Sequence, residues 1–288
     1  MADFSDIFIF AQVDAILELT GVDITILTLC ALGVVFLAYW LLGYAGPVNL
    51  TSCPVRRNRL PLYLPFAHIA AWVILAALAT IIISQTSNKL PLWQQEFFNF
   101  LAITLVELVL VFFMLCFARQ GFARRLKGFG LNPRTMGSDF LAAVVNFISV
   151  LPLVLLGIRL VTYLGYLIGG PDFQIQTNEG LTVILDNPQV SLRALMFVFV
   201  VIVVPIFEEV LFRGMLQSVI RGFTSRPWHA ILLTSAAFAV LHPWMHLPAL
   251  FVLSCCMGYA YERSGSLFRA IFIHALFNAS SVAAALCS

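Results

Sequence analysis

Between residues 204 and 214 the chain reads Val-Pro-Ile-Phe-Glu-Glu-Val-Leu-Phe-Arg-Gly, which sets Glu208, Glu209 and Arg213 inside a long apolar run. An ionisable side chain at bilayer depth costs roughly 2.5 to 3.5 kcal/mol on insertion scales, so three within six residues require pairing or a chemical task. Helical spacing separates the two. Glu209 and Arg213 are four residues apart, acid before base, and share a face on which they can neutralise each other. Glu208 is turned about 100° away and is the poorer partner for Arg213, which leaves it free for chemistry.

Two later pairs could join it: Phe238 with His242, and His274 with Asn278, each spaced by four. The first sets a ring against an imidazole, and Pro243 disfavours helix at His242, so that histidine is expected at a helix end. The second presents an imidazole and a carboxamide from one helix face. Any one histidine in a bundle is more often a hydrogen-bonded core residue; the weight comes from all these groups lying on consecutive segments. A carboxylate, two imidazoles and a carboxamide can do acid–base chemistry and bind an oxyanion. Glu208, His242 and His274 could also form a three-ligand zinc site with an open position.

The elements that must position these groups are membrane helices. Of 288 residues 61% are hydrophobic and only 10% charged, with a mean hydropathy of +0.97, which excludes an ordinary soluble domain. A net charge of +2 gives no general attraction to nucleic acid, and the hydropathy makes the bilayer the expected partner. The expected fold is all-α, one polytopic bundle of about eight transmembrane helices: Ile24 to Leu42, Leu62 to Ser84, Phe97 to Phe117, Phe140 to Ile168, Leu192 to Ile220, Ala230 to His242, Leu247 to Tyr261 and Leu267 to Leu286. The fourth is over-long and interrupted by Pro152, Gly157 and Arg159, so a kink or tilt is expected. Gly46-Pro47 ends the first, residues 118 to 139 read as a basic loop, and residues 169 to 191, with Asp172, Glu179 and Asp186, as an acidic loop.

With the N-terminus outside, the inner loops collect Arg56, Arg57, Arg59, Arg119, Arg124, Arg125, Lys127, Arg134, Arg221, Arg226, Arg263 and Arg269, and the outer ones only Lys89 and Arg193. That asymmetry is the positive-inside pattern. Residues 1–23 carry Asp3, Asp6, Asp14, Glu18 and Asp23 and no basic residue, unlike a signal peptide, and read as a short interfacial segment. The chain thus divides into 1–23, the helices of 24–191 and a core of 192–288. The six cysteines show no CxxC spacing and read as inert buried thiols.

Glu-Glu-x-x-x-Arg at Glu208, Glu209 and Arg213, then Phe-x-x-x-His at Phe238 and His242, then His-x-x-x-Asn at His274 and Asn278, on successive helices, resembles the CPBP family of intramembrane proteases, which includes the CAAX prenyl endopeptidases. The resemblance covers residues 192 to 286 and implies hydrolysis by activated water. On it, Glu208 acts as general base with His242, His274 and Asn278 stabilise the oxyanion, and Glu209 with Arg213 holds the helix in register. A metal-free mechanism is favoured over zinc, since no HExxH helix is present and Asn278 suits an oxyanion better than a zinc ion. The resemblance implies a peptide or protein substrate at the membrane and admits a lipidated one. The basic loops point to a bacterial plasma membrane. Glu208 lies about 24 Å from the outer end of its span at 1.5 Å per residue, which favours access from the cytoplasm.

The other polar residues have plainer readings. Glu107 is a buried hydrogen-bonded acid, Arg159 snorkels or pairs locally, His68 and His229 sit at interfaces, and His246 is a candidate neighbour of the pocket. Two further functions compete with proteolysis: a non-catalytic membrane protein of the same fold, serving bacteriocin immunity or partner binding, and a transporter with a proton relay. Sparse charges in the other spans count against the last.

Overall fold

A computed structural model describes residues 21–42, 50, 53, 55–170, 173, 179–224 and 226–287. Residues 1–20, the Gly46-Pro47 break and Asp172 lie outside the described residues. Apart from an isolated antiparallel bridge between Asn58 and Phe122, the regular structure described is helical. The elements are α1 (Gly21–Leu42), α2 (Tyr63–Thr86), α3 (Leu92–Gly121), α4 (Arg125–Phe129), α5 (Met136–Gly169), α6 (Glu179–Asp186), α7 (Val190–Thr224), α8 (Pro227–Val240), α9 (Leu247–Ser264) and α10 (Leu267–Cys287).

Six segments are long and apolar enough to cross a membrane: Ile24–Leu42, Tyr63–Thr86, Leu92–Gly121, Pro133–Gly169, Val190–Thr224 and Leu267–Leu286. The chain is a multi-pass membrane protein. Of the eight expected crossings, the two not among these are α8 and α9. With 14 residues, α8 rises only about 21 Å, short of the roughly 30 Å hydrocarbon core. α9 has 18 residues but carries Glu262 and Arg263 in its last turn.

The two loops expected on either side of α5 are more ordered than their composition suggests. In the basic stretch α3 runs on to Gly121, α4 follows, and α5 begins at Met136. In the acidic one α6 packs Leu181, Val183 and Ile184 against the Phe199 region of α7. α5 keeps Pro152 inside one continuous helix of 34 residues.

α7 lies at the centre, with α2, α3, α8, α9 and α10 packed on it, while α1 sits outside against α5. It is not uniform. Phe199–Val203 and Val210–Gln217 are π-helical and bracket an α-helical piece, Val204–Glu209. The first widening has a chemical consequence. In π register the carbonyl of Val200 would meet the N–H of residue 205, but Pro205 has none, and the N–H of Val204 is given to Phe199. The Val200 carbonyl is therefore available to a side chain.

One end of the bundle is tied by polar contacts between segments distant in sequence. Glu262 pairs with Arg56 at 3.1 Å and Arg221 at 2.7 Å. Tyr261 donates its hydroxyl to Phe129 O, Leu267 N–H bonds Gly130 O, and Asp139 accepts from Ser266 and Arg269. Asn58 reaches the Ser218 carbonyl. The loops predicted to share one side of the membrane thus meet at one end of the molecule.

Candidate active site

Glu209 and Arg213 are both fully buried. Arg213 Nη1 lies 2.5 Å from Glu209 Oε1, and Nη2 donates to Ser254 Oγ on α9 at 2.6 Å. The guanidinium carbon sits 4.8 Å above the Phe238 ring of α8. A buried cation needs such partners on all sides, because an unpaired charge in low dielectric is several kcal/mol unfavourable.

Phe238 is the hub of the site. Its ring stands 4.7 Å from the His242 ring, 5.8 Å from His274 edge-on, and 5.2 Å from Phe212 edge-on. α8 ends at Val240, and His242 occupies the turn before Pro243. There Nδ1 faces the Phe238 carbonyl at 2.9 Å. A carbonyl only accepts, so Nδ1 carries the hydrogen and Nε2 presents its lone pair.

His274 is fixed in the same way by a different acceptor: its Nδ1 lies 3.0 Å from Glu209 Oε1. Spacing along α7 cannot reveal this second bond, which crosses from α10. It gives Glu209 a task beyond holding the helix, since the carboxylate that pairs with Arg213 also sets the tautomer of His274. Both histidines consequently turn Nε2 towards Glu208. His242 Nε2 is 4.0 Å from Glu208 Oε1, and His274 Nε2 is 3.7 Å from Oε2.

Asn278 lies one turn beyond His274 on α10 and donates Nδ2–H to the freed Val200 carbonyl at 2.8 Å. One N–H of the carboxamide thereby fastens α10 to the π-helical turn of α7, and the second remains for other use.

Glu208, His242 and Asn278 are partly open, with the side chains of the first two 18% and 26% exposed. Towards the basic end Phe212, Arg213, Met215, Leu216, Gln217 and Ser218 form a fully packed layer. At the α8–α9 turn beside His242, Leu241 and Trp244 are exposed. A separate apolar cavity of about 420 Å³ lies between α1, α5 and α9, bordered by Trp40, Asn146 and Tyr259, and includes none of these groups.

The remaining polar residues fall away from the site or behind it. His68 is buried, bonded to Leu64 O at 2.8 Å and set edge-on to Phe117, so it is a core residue of α2 and not an interfacial one. His229 and Arg159 are exposed, and His246 belongs to the short turn Trp244–His246. Glu107 is buried on α3 and bonded by the Trp72 indole at 3.2 Å. Ser254 had no signal in the sequence; it is a small residue on α9 that no spacing rule connects to Arg213.

Two imidazole lone pairs and a carboxylate are donors that zinc accepts, and each ring has an outer acceptor of the kind metal ligands use. Their separations of 3.7 and 4.0 Å exceed the roughly 3.3 Å edge of a tetrahedron with 2.0–2.1 Å bonds. No group of three His, Cys, Asp or Glu among the described residues is arranged to hold a metal ion. As placed, these residues do not fit zinc.

No curated protein and no solved structure matches the chain. The family model described as Rce1-like, type II CAAX prenyl endopeptidase Rce1-like, matches residues 190–280, which begin with α7 and include every motif residue above. Over that segment, about a third of the chain, the sequence is similar to the type II CAAX prenyl endopeptidases.

Proposed function

We propose that this chain is an intramembrane endopeptidase in which Glu208 and His242 activate a water molecule without a metal ion. The observation that carries the reading is the convergence of two Nε2 atoms on Glu208, each ring locked by its Nδ1 hydrogen bond. A water between Glu208 Oε1 and His242 Nε2 can give one hydrogen to each and keep its lone pairs for a peptide carbonyl. As the C–O bond forms, Glu208 takes the proton and later delivers it to the departing amine while the C–N bond breaks.

The oxyanion is met from α10. His274 has given its Nδ1 hydrogen to Glu209, so Nε2 donates only from the doubly protonated ring, whose charge is balanced by Glu209 on one side and Glu208 on the other. The free N–H of Asn278 is the second donor. The arrangement sits at membrane depth and opens at the α8–α9 turn, which suits a substrate segment that reaches the site along the bilayer. A peptide ending in a prenylated cysteine and three further residues is the first substrate to try, given the family. The positive-inside pattern supports a cytoplasmic basic end, and a bacterial plasma membrane is the expected setting.

The test is cleavage of such a peptide in proteoliposomes by wild type, Glu208→Ala and His242→Ala. Loss of general-base function lowers kcat by about 10² to 10⁴, with the thermal transition of each variant retained. Wild-type rates in both variants overturn the proposal. Chelation leaves activity intact on this reading; stoichiometric zinc lost together with activity overturns the metal-free mechanism.

A further inference from the structure

Hydrolysis by Glu208, His242, His274 and Asn278 uses no residue from the first half of the chain, yet an acid from that half backs onto the site. Glu107 on α3 is 2% exposed. Its Oε1 accepts the Trp72 indole N–H of α2, and its Oε2 is enclosed with no hydrogen-bond partner among the described residues. The Trp72 ring in turn lies 6.0 Å from Phe207, tilted by 32°, and Phe207 immediately precedes Glu208. Glu208 also has an enclosed Oε2 without a hydrogen-bond partner, and its charge acts on Glu107.

Packing alone does not account for this acid. Leu or Met would fill the same volume without a polar atom to bury, and Gln would serve the indole equally well, whereas a carboxyl oxygen left bare in a dry interior is unfavourable by about 1–3 kcal/mol or more. An ionisable group at that depth with an ionisable neighbour is the arrangement expected of a working site.

We propose that Glu107, held by Trp72, is a second acid of the active site that acts on Glu208 from behind. It is a positioning residue: it touches no substrate and acts through the charge on Glu208 and, by way of Trp72, on the placement of Phe207. Coupling of this kind makes apparent titration steps belong to the pair. Other polar groups on α3 and on the helices packed against it are engaged elsewhere. On α2, His68 is bonded to Leu64 O; on α3, Thr104 is bonded to Phe100 O; on α7, Glu209 and Arg213 are bonded to each other, to His274 and to Ser254. His242 and His274 approach Glu208 itself.

The inference rests on Glu208 being the base. The experiment compares wild type, Glu107→Gln, Glu107→Leu and Trp72→Phe, all as full chains in proteoliposomes, by thermal transition and by the pH dependence of kcat/KM. Glu107→Gln keeps the shape and the acceptor for Trp72; it is expected to fold, to cleave, and to displace at least one limb of the profile by about half a pH unit or more. Glu107→Leu is expected to lower kcat more than about tenfold with KM within about twofold. A Glu107→Gln profile superimposable on wild type, or wild-type kcat in Glu107→Leu, overturns the proposal. Should the Glu107 variants fail to fold, Trp72→Phe decides: it removes the N–H and keeps a ring, and an unchanged profile overturns the proposal as well. Retained cleavage by Glu208→Ala sinks the reading of the base; abolished cleavage there with a superimposable Glu107→Gln profile sinks only this inference.

Discussion

At the scale of single residues, Glu209 holds two groups with one oxygen: Arg213 and His274 both meet Oε1. Glu209→Gln keeps the shape but removes the countercharge of a guanidinium that has no solvent exposure. Breaking a buried pair by removing one partner is unfavourable by about 3–5 kcal/mol, so the variant is expected to unfold at markedly lower temperature in detergent. Ser254→Ala removes one hydrogen bond from the same cation and is expected to weaken the fold by about 1.5–3 kcal/mol, leaving the charge pair intact. A smaller loss in Glu209→Gln than in Ser254→Ala contradicts the ranking. The spacing of Glu209 and Arg213 made their pairing legible from the sequence, because a helix fixes which residues four apart are neighbours. The bond from His274, 65 residues away, is a property of how α10 docks on α7, and no local period encodes it.

At the scale of elements, two close fits carry the site. Pro205 leaves the Val200 carbonyl without a backbone donor, and Asn278 supplies one from α10. The two residues should therefore be coupled energetically. Asn278→Ala in the wild-type background strands the carbonyl and is expected to be unfavourable by about 1–3 kcal/mol, whereas Pro205→Ala restores an N–H to α7 and makes the loss of Asn278 milder. Additive effects in the double-mutant cycle refute the link. The π-helical register behind it could not be anticipated, since an apolar run with a proline predicts a kink as readily as a widened turn. The second fit is Gly157 on α5, where a Cβ would come within 3.0–3.2 Å of backbone atoms of Ala249 and Pro248 at the start of α9. Backbone atoms cannot rotate aside, so Gly157→Ala is expected to push α9 outward and lower stability by about 1–3 kcal/mol. Because Ser254 on α9 holds Arg213, activity should fall with it.

At the scale of the whole molecule, the count of charges on alternate loops predicted which helix ends would lie together, and the tied end at Glu262, Asp139 and Tyr261 is where they meet. Depth was less legible: α8 reads as a span from its hydropathy, yet it ends after 14 residues, too few to cross the hydrocarbon core. Two separable questions follow, which side the tied end faces and where the site opens. Arg57 and Lys89 are exposed at opposite ends of the bundle, before α2 and after it. In a background lacking the native cysteines, Lys89→Cys is expected to react with a membrane-impermeant maleimide in intact cells, and Arg57→Cys only in inverted vesicles. The reverse pattern rejects the orientation without touching the chemistry. Leu241, exposed beside His242, tests the opening: Leu241→Cys is expected to react with a lipid-soluble maleimide and to lose cleavage once labelled, because the adduct stands in the path to Glu208. Undiminished cleavage after complete labelling at 241 places the entrance elsewhere and requires the packed layer between Glu208 and the basic end to part during turnover.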